Sequence, residues 1–215
     1  MEWFRYPRGR VRALRRAAAV YATHGWPVVP GAYAVGGRCG CSRLGCRRAG
    51  LHPLLEQWEQ AATTDVLQVG RWWARQAWAI LLRTGHRVEV VDVSADVGAA
   101  TAHRLSERAG PIAVSGSHRW LLFCAAEDDP VNPTDDDWRA GLLVHTQGSW
   151  VPVPADNRMR GRAGWLRPPW LVGWRLPGTR EVLAAARAAA ASLSGGAPVP
   201  GGLHLPVALA TDPPQ

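Results

Sequence analysis

The segment Val88-Glu89-Val90-Val91-Asp92-Val93-Ser94 has the composition of a buried β-strand that carries one carboxylate to its end. Residues 92 and 94 lie two apart, so on a strand their side chains share a face. Carboxylates at both positions would hold a divalent cation against a triphosphate. Here the second position carries the neutral hydroxyl of Ser94. Asp96 is the nearest further acid, but a place just past Ser94 suits the first turn of a helix, where the dipole favours negative charge. Asp92 alone also fits a plainer role, a strand-end residue hydrogen-bonded to a neighbouring turn.

A second constellation lies upstream. Cys39, Cys41, Cys46 and His52 offer three thiolates and one imidazole within fourteen residues, the ligand set of a tetrahedral structural zinc site. Gly40 and Gly45 give the backbone freedom to wrap an ion. Such a site would stabilise a loop poor in hydrophobic core. The alternative is a set of free thiols beside a helix-terminating His-Pro. Cys124, inside the apolar run from Leu121 to Ala126, reads as core.

Ser115-Gly116-Ser117-His118-Arg119 is a glycine-containing turn before an apolar strand. Backbone N–H groups of such a turn can approach an anion, and Arg119 adds charge; a simple β-turn with a polar exit is the competing reading. His145, ahead of Gly148-Ser149-Trp150, reads as structural. Trp72, Trp73 and Trp78 could stack on bases but fit core positions better. The arginine clusters at 5–16, 43–48 and 158–167 could track phosphates or form solvated faces. Asp135-Asp136-Asp137 fits a helix first turn.

These groups need elements to position them. Val11, Leu14, Ala18 and Tyr21 at helical spacing predict a helix over 10–24, ended at Gly25, then a short strand over 26–30. Residues 31–62 read as loop-rich and hold the cysteines. Thr64 caps an expected helix over 65–76. Strands are expected at 78–83 and 87–93 around a Thr84-Gly85-His86 turn, and a helix over 95–109 with Ser94 as cap. Further strands fall at 111–114, 119–125 and 142–153, with a short helix capped by Thr134. An alanine-rich helix over 179–193 stops at Ser194-Gly195-Gly196. Intermixed strands and helices with a two-residue turn between strands predict a mixed α/β body around an antiparallel sheet.

The chain has 215 residues, 47% of them hydrophobic, with 12 tryptophans, enough for a globular body with a full core. Its net charge of +8 suits an anionic partner such as nucleic acid, although arginine supplies all of the positive side-chain charge, as GC-rich coding would produce. No run approaches the roughly 20 apolar residues that span a bilayer, which gives an expectation of no membrane partner and a cytoplasmic location. In a reducing compartment clustered cysteines point to metal rather than disulfides.

Read in order, Gly25-Trp26-Pro27-Val28-Val29-Pro30, the cysteine cluster ending in His52-Pro53, Ala62-Thr63-Thr64-Asp65, Arg71-Trp72-Trp73-Ala74-Arg75, Thr84-Gly85, the strand with Asp92, Ser115 to Phe123, and Gly148 to Pro154 form a series. From about residue 14 to 175 it resembles the N-terminal domain of bifunctional DNA primase/polymerases, in the archaeo-eukaryotic primase superfamily. The resemblance implies an α+β fold, a primase-polymerase-like core with an RRM-like antiparallel sheet flanked by helices, here with a Cys-rich zinc loop. It implies a domain over 1–177 with the Cys-rich loop at 36–53; composition adds a helix over 178–194 and a disordered Gly/Pro-rich tail over 195–215. Asp92 takes the first catalytic aspartate position and Ser94 the second, and the strand near Leu143-Val144-His145, where a third acid is expected, has none. His118 matches a small-x-His element that contacts nucleotide phosphates, which makes Ser115, Gly116, Ser117, His118 and Arg119 candidate nucleotide contacts.

Three functions follow as expectations. The first is a catalytically degenerate primase/polymerase-like domain that retains DNA or nucleotide binding. The second is an active enzyme using Mg²⁺ or Mn²⁺ on Asp92 with a substitute such as Asp96, aided by replication proteins in trans because no helicase region is attached. The third is a zinc-stabilised protein-interaction module.

Overall fold

A computed structural model of the protein describes residues 8–35, 38–41, 43, 46, 51–115, 118–155 and 163–195. In chain order it has α1 (Arg8–Thr23), β1 (Val28–Gly31), β2 (Ala34–Val35), β3 (Arg38–Cys39), α2 (Trp58–Ala61), α3 (Val66–Trp72), β4 (Ala79–Arg83) and β5 (Val88–Val93). There follow α4 (Ala95–Leu105), β6 (Ile112–Val114), β7 (Trp120–Ala125), α5 (Asp135–Arg139), β8 (Leu143–His145), β9 (Trp150–Pro152), β10 (Gly164–Arg167) and α6 (Thr179–Ser194). The fold is α+β, with antiparallel sheets flanked by helices. Two compact units divide the described residues: those up to 83 with 150–155, and 84–149 with 163–195.

In the first unit, β1, β4 and β9 form an antiparallel sheet and β2 pairs with β3. Ala18, Tyr21 and Ala22 of α1 are buried, as their helical spacing requires. Tyr21 stacks on Trp26 with ring centroids 5.6 Å apart and donates its hydroxyl to the Pro154 carbonyl. Trp73, expected as core, is fully buried, and its indole N–H donates to the Trp78 carbonyl. Two local expectations need correction. Asp65, rather than Thr64, caps α3 by accepting from the Leu67 N–H, a task that its carboxylate serves well at an N-terminus. The stretch 31–62, which reads as loop-rich, also holds the short strands β2 and β3 and the short helix α2, where no element is expected.

In the second unit, one antiparallel sheet has the order β10-β6-β7-β5-β8. Val91 and Val93 of β5, with Ile112, Leu122 and Cys124, point to one face. There they pack with Val97, Ala102 and Leu105 of α4 and Val182, Leu183 and Ala186 of α6. Each fully buried Val or Leu contributes roughly 1.5–3 kcal/mol over exposure. A Cβ at Gly98 would lie 2.7 Å from the Trp120 ring, so glycine lets α4 approach β7. The stretch 142–153, which reads as one strand, divides into β8 and β9, because the turn at 146–149 holds Gly148 at φ 80°. Strand β10 had no expected counterpart. The tail over 196–215 lies outside the described residues. Among the described residues no helix is long and apolar enough to cross a membrane.

Candidate functional site

Strand β5 is flanked by β7 and β8, and its register decides what surrounds Asp92. Leu121 of β7 and Leu143 of β8 lie directly opposite Asp92, and His145 lies opposite Val90. Side chains alternate along strands, so Asp92 and His145 fall on the same face, as diagonal neighbours. The His145 Nε2 is 3.5 Å from Asp92 Oδ2, and its Nδ1 shares a 2.9 Å hydrogen bond with Ser149 Oγ. The turn carrying Ser149 is fixed by Thr84, whose hydroxyl donates to the Thr146 carbonyl at 2.6 Å and whose N–H donates to the Ser149 carbonyl at 3.0 Å.

Arg119 closes the other side of Asp92. Its Nε donates to Asp92 Oδ1 at 2.6 Å, and its Nη2 donates to the carbonyls of Asp92 at 2.8 Å and Gly141 at 2.7 Å. The Asp92 side chain is 13% exposed and that of Arg119 29%. A guanidinium therefore occupies one edge of the carboxylate and an imidazole the other.

Ser94 lies one residue past β5 and is the N-cap of α4, where its hydroxyl accepts the Val97 N–H at 3.4 Å. Asp96 is exposed in the first turn of the same helix. Both follow the sequence pattern of a capped N-terminus.

The turn between β6 and β7 brings Ser115, His118 and Arg119 together: the Ser115 N–H donates to the Arg119 carbonyl and the His118 N–H to the Ser115 carbonyl. His118 is exposed, with φ 64°, a left-handed conformation uncommon for a residue with a side chain. Gly116 and Ser117 lie outside the described residues.

Gly141, which accepts from Arg119, is held by α5. Thr134 and Asp137 form a capping box, and Arg187 of α6 donates Nε and Nη2 to the two Asp137 carboxylate oxygens at 2.7 Å each. The Arg187 guanidinium, followed by the Thr134 bonds, holds the Asp137 carboxyl well below the usual carboxylate range. The expected acidic first turn of α5 is present, but one of its members is 2% exposed and serves as an anchor.

In the first unit, the ligand atoms of Cys39, Cys41, Cys46 and His52 all lie within 4.8 Å of one another, a group that could hold a metal ion. The His52 Nε2 is 3.1 Å from Cys39 Sγ and 3.6 Å from Cys46 Sγ. His52 Nδ1 hydrogen-bonds the Pro53 carbonyl at 2.8 Å, which leaves Nε2 as the ligating nitrogen. Burial pushes the Cys39 thiol up to about 11, whereas a backbone hydrogen bond from Arg43 draws Cys41 down to about 6.

Sequence reasoning singled out Asp92, Ser94 and the Cys/His group, and the resemblance put the strand with His145 near Asp92, but the pairing of Arg119 with Asp92 was missed. Parity agrees for His145, which sits an even number of residues along β8 from the position facing Asp92.

A five-stranded antiparallel sheet backed by two helices, with a carboxylate at the end of an inner strand, makes this an α+β domain. A family model described as bifunctional DNA primase/polymerase, N-terminal, matches residues 18–190, and the chain belongs to that family. No curated protein matches it.

Proposed function

We propose that the chain is a primase/polymerase-like domain whose catalytic acid set has eroded and whose retained property is binding of nucleotide or nucleic acid. The observation that carries this reading is the Arg119 guanidinium 2.6 Å from the Asp92 carboxylate. The family's chemistry calls for divalent metal held by several carboxylates, with two ions roughly 3.5–4 Å apart. The donors around Asp92 do not fit that requirement. Its neighbours are a guanidinium and an imidazole, Ser94 Oγ is engaged as a helix cap, and β8 carries Leu143, Val144 and His145 where an acid would be needed. No metal-assisted step is assigned here.

What these residues can do is bind. Asp92 holds Arg119 in one orientation, and His118, the residue before it, is exposed in a left-handed turn. A guanidinium next to an exposed turn suits a phosphate. The Cys39-Cys41-Cys46-His52 group is assigned to a structural zinc ion that orders its loop.

The test is primer extension and primer synthesis with magnesium and with manganese, beside binding of labelled nucleotide and single-stranded DNA. Wild-type protein is expected to bind and to synthesise nothing above background. Ser94→Asp is expected to give at most a weak manganese-dependent activity, since it restores a same-face pair but leaves Arg119 and His145 in place. Efficient extension by the wild type that Asp92→Ala abolishes would overturn the reading and make Asp96 the next residue to test.

A further inference from the structure

The N-terminal helix is charged in a way that its own fold does not require. Arginines stand at positions 8, 10, 12, 15 and 16, in the first nine residues of α1, and the helix contains no acid. Cations near a helix N-terminus oppose the macrodipole. The core side of α1 is supplied by Ala18, Tyr21 and Ala22, not by these residues. Arg12 and Arg15 are exposed. The Arg15 guanidinium lies over α3, where a Cβ at Gly70 would sit 3.1 Å from its Nη2. Next to that contact Arg71 is exposed on α3, and Arg75 is exposed just beyond the helix. Among the described residues none of Arg12, Arg15, Arg71 and Arg75 forms an ion pair with a carboxylate. Asp65, the acid of this helix pair, is at the opposite end of α3 and accepts from the Leu67 N–H.

We infer that α1 and the C-terminal end of α3 form a docking face for the phosphate backbone of single-stranded nucleic acid, with Arg12, Arg15, Arg71 and Arg75 as the contacts. The inference rests on the nucleic-acid-binding reading above and says where on the first unit that binding occurs. The four side chains Arg12, Arg15, Arg71 and Arg75 are all positive and, among the described residues, none is neutralised by a carboxylate, so together they complement a polyanion. A lipid surface is the poorer occupant, because an amphipathic membrane helix needs its apolar face free and that face of α1 is already buried in the unit.

The experiment measures affinity for a labelled single-stranded oligonucleotide over a series of salt concentrations, for the wild type and for Arg12→Gln/Arg15→Gln/Arg71→Gln. A matched variant, Arg104→Gln/Arg108→Gln/Arg139→Gln, removes the same charge from arginines of the second unit that already hold Ser192, Glu181 and Asp136. With about 0.7 counterions released per single-strand phosphate contact, losing three contacts should lower the slope of log affinity against log salt by about 2. The matched variant should keep the wild-type slope. If the first triple variant does not fold, Arg12→Glu alone, on the exposed side of α1, should still weaken binding at least several-fold. An unchanged slope in a folded α1/α3 variant overturns this inference and leaves the proposed function standing. Absence of wild-type binding at low salt overturns both. Wild-type binding to phosphatidylcholine vesicles containing phosphatidylserine, without binding to the oligonucleotide, would assign the face to lipid and overturn the inference too.

Discussion

Replacing Arg119 by alanine is the sharpest probe of the Asp92 site. The substitution deletes three hydrogen bonds, of 2.6, 2.8 and 2.7 Å, and leaves a carboxylate whose side chain is 13% exposed with His145, among the described residues, as its remaining polar side-chain neighbour. Removing one partner of a fully buried pair costs about 3–5 kcal/mol. Water reaches the 29% exposed Arg119 position, which lowers the expectation to about 2–3 kcal/mol. At about 2–4 °C per kcal/mol for a chain of this size, the melting temperature should fall by about 5–10 °C. The double variant Arg119→Ala/Asp92→Asn should be less destabilised than Arg119→Ala, because the orphaned charge is gone. Freed of its guanidinium, Asp92 should also accept a cation, so manganese should stabilise Arg119→Ala more than the wild type, by about 2.7 kcal/mol at 100 times its dissociation constant. Urea denaturation with and without manganese reads all three effects. The reasoning is refuted if Arg119→Ala lies within about 0.5 kcal/mol of wild type, the range of an ordinary surface change, or if manganese stabilises both proteins equally.

Metal analysis of freshly purified, reduced protein should find about one zinc per chain, and Cys41→Ser or Cys46→Ser should lower both occupancy and melting temperature, since a structural metal couples to folding; protein free of zinc would remove the site. Arg187→Met should destabilise by about 2 kcal/mol near neutral pH, a value below the buried-pair range because the Arg187 side chain is 45% exposed. The folded Asp137 carboxyl is held below its unfolded value, so its stabilisation is present above about pH 4 and is lost as pH falls through the folded value. The difference between Arg187→Met and wild type should therefore shrink as pH is lowered below about 4, and stability curves in which the gap is constant with pH would contradict the assignment.

The sequence was most legible where one local rule governed the outcome. The helical spacing of Val11, Leu14, Ala18 and Tyr21 gave α1, the Ser94 and Thr134 caps gave the starts of α4 and α5, and the apolar run around Cys124 gave β7. The four metal-ligand candidates were legible because they lie within one short stretch of chain. The environment of Asp92 was not, because Arg119 and His145 reach it from 27 and 53 residues away in sequence, brought there by strand register. Strand β10 was hidden because its partner β6 lies about 50 residues away and a register shift between Trp165 and Arg167 breaks its alternation. The division of 142–153 turned on one positive φ at Gly148, within the polar stretch His145-Thr146-Gln147-Gly148-Ser149 that separates two apolar segments.

Position 94 answers to two separate demands, and folding enforces only one of them. As the N-cap of α4 it needs a short side chain with an acceptor oxygen, and serine and aspartate serve that need almost equally. Exchange between them is therefore nearly neutral for the fold, so a chain can move from two strand-end acids to one without crossing a region of unfolded sequences. The return path differs. Once a guanidinium and an imidazole surround Asp92, restoring the acid at 94 adds a charge without reopening the carboxylate already engaged. Under the proposed function, loss of an acid at this position is an easy step in sequence space, and recovery requires coordinated change at three places: 94, 119 and 145.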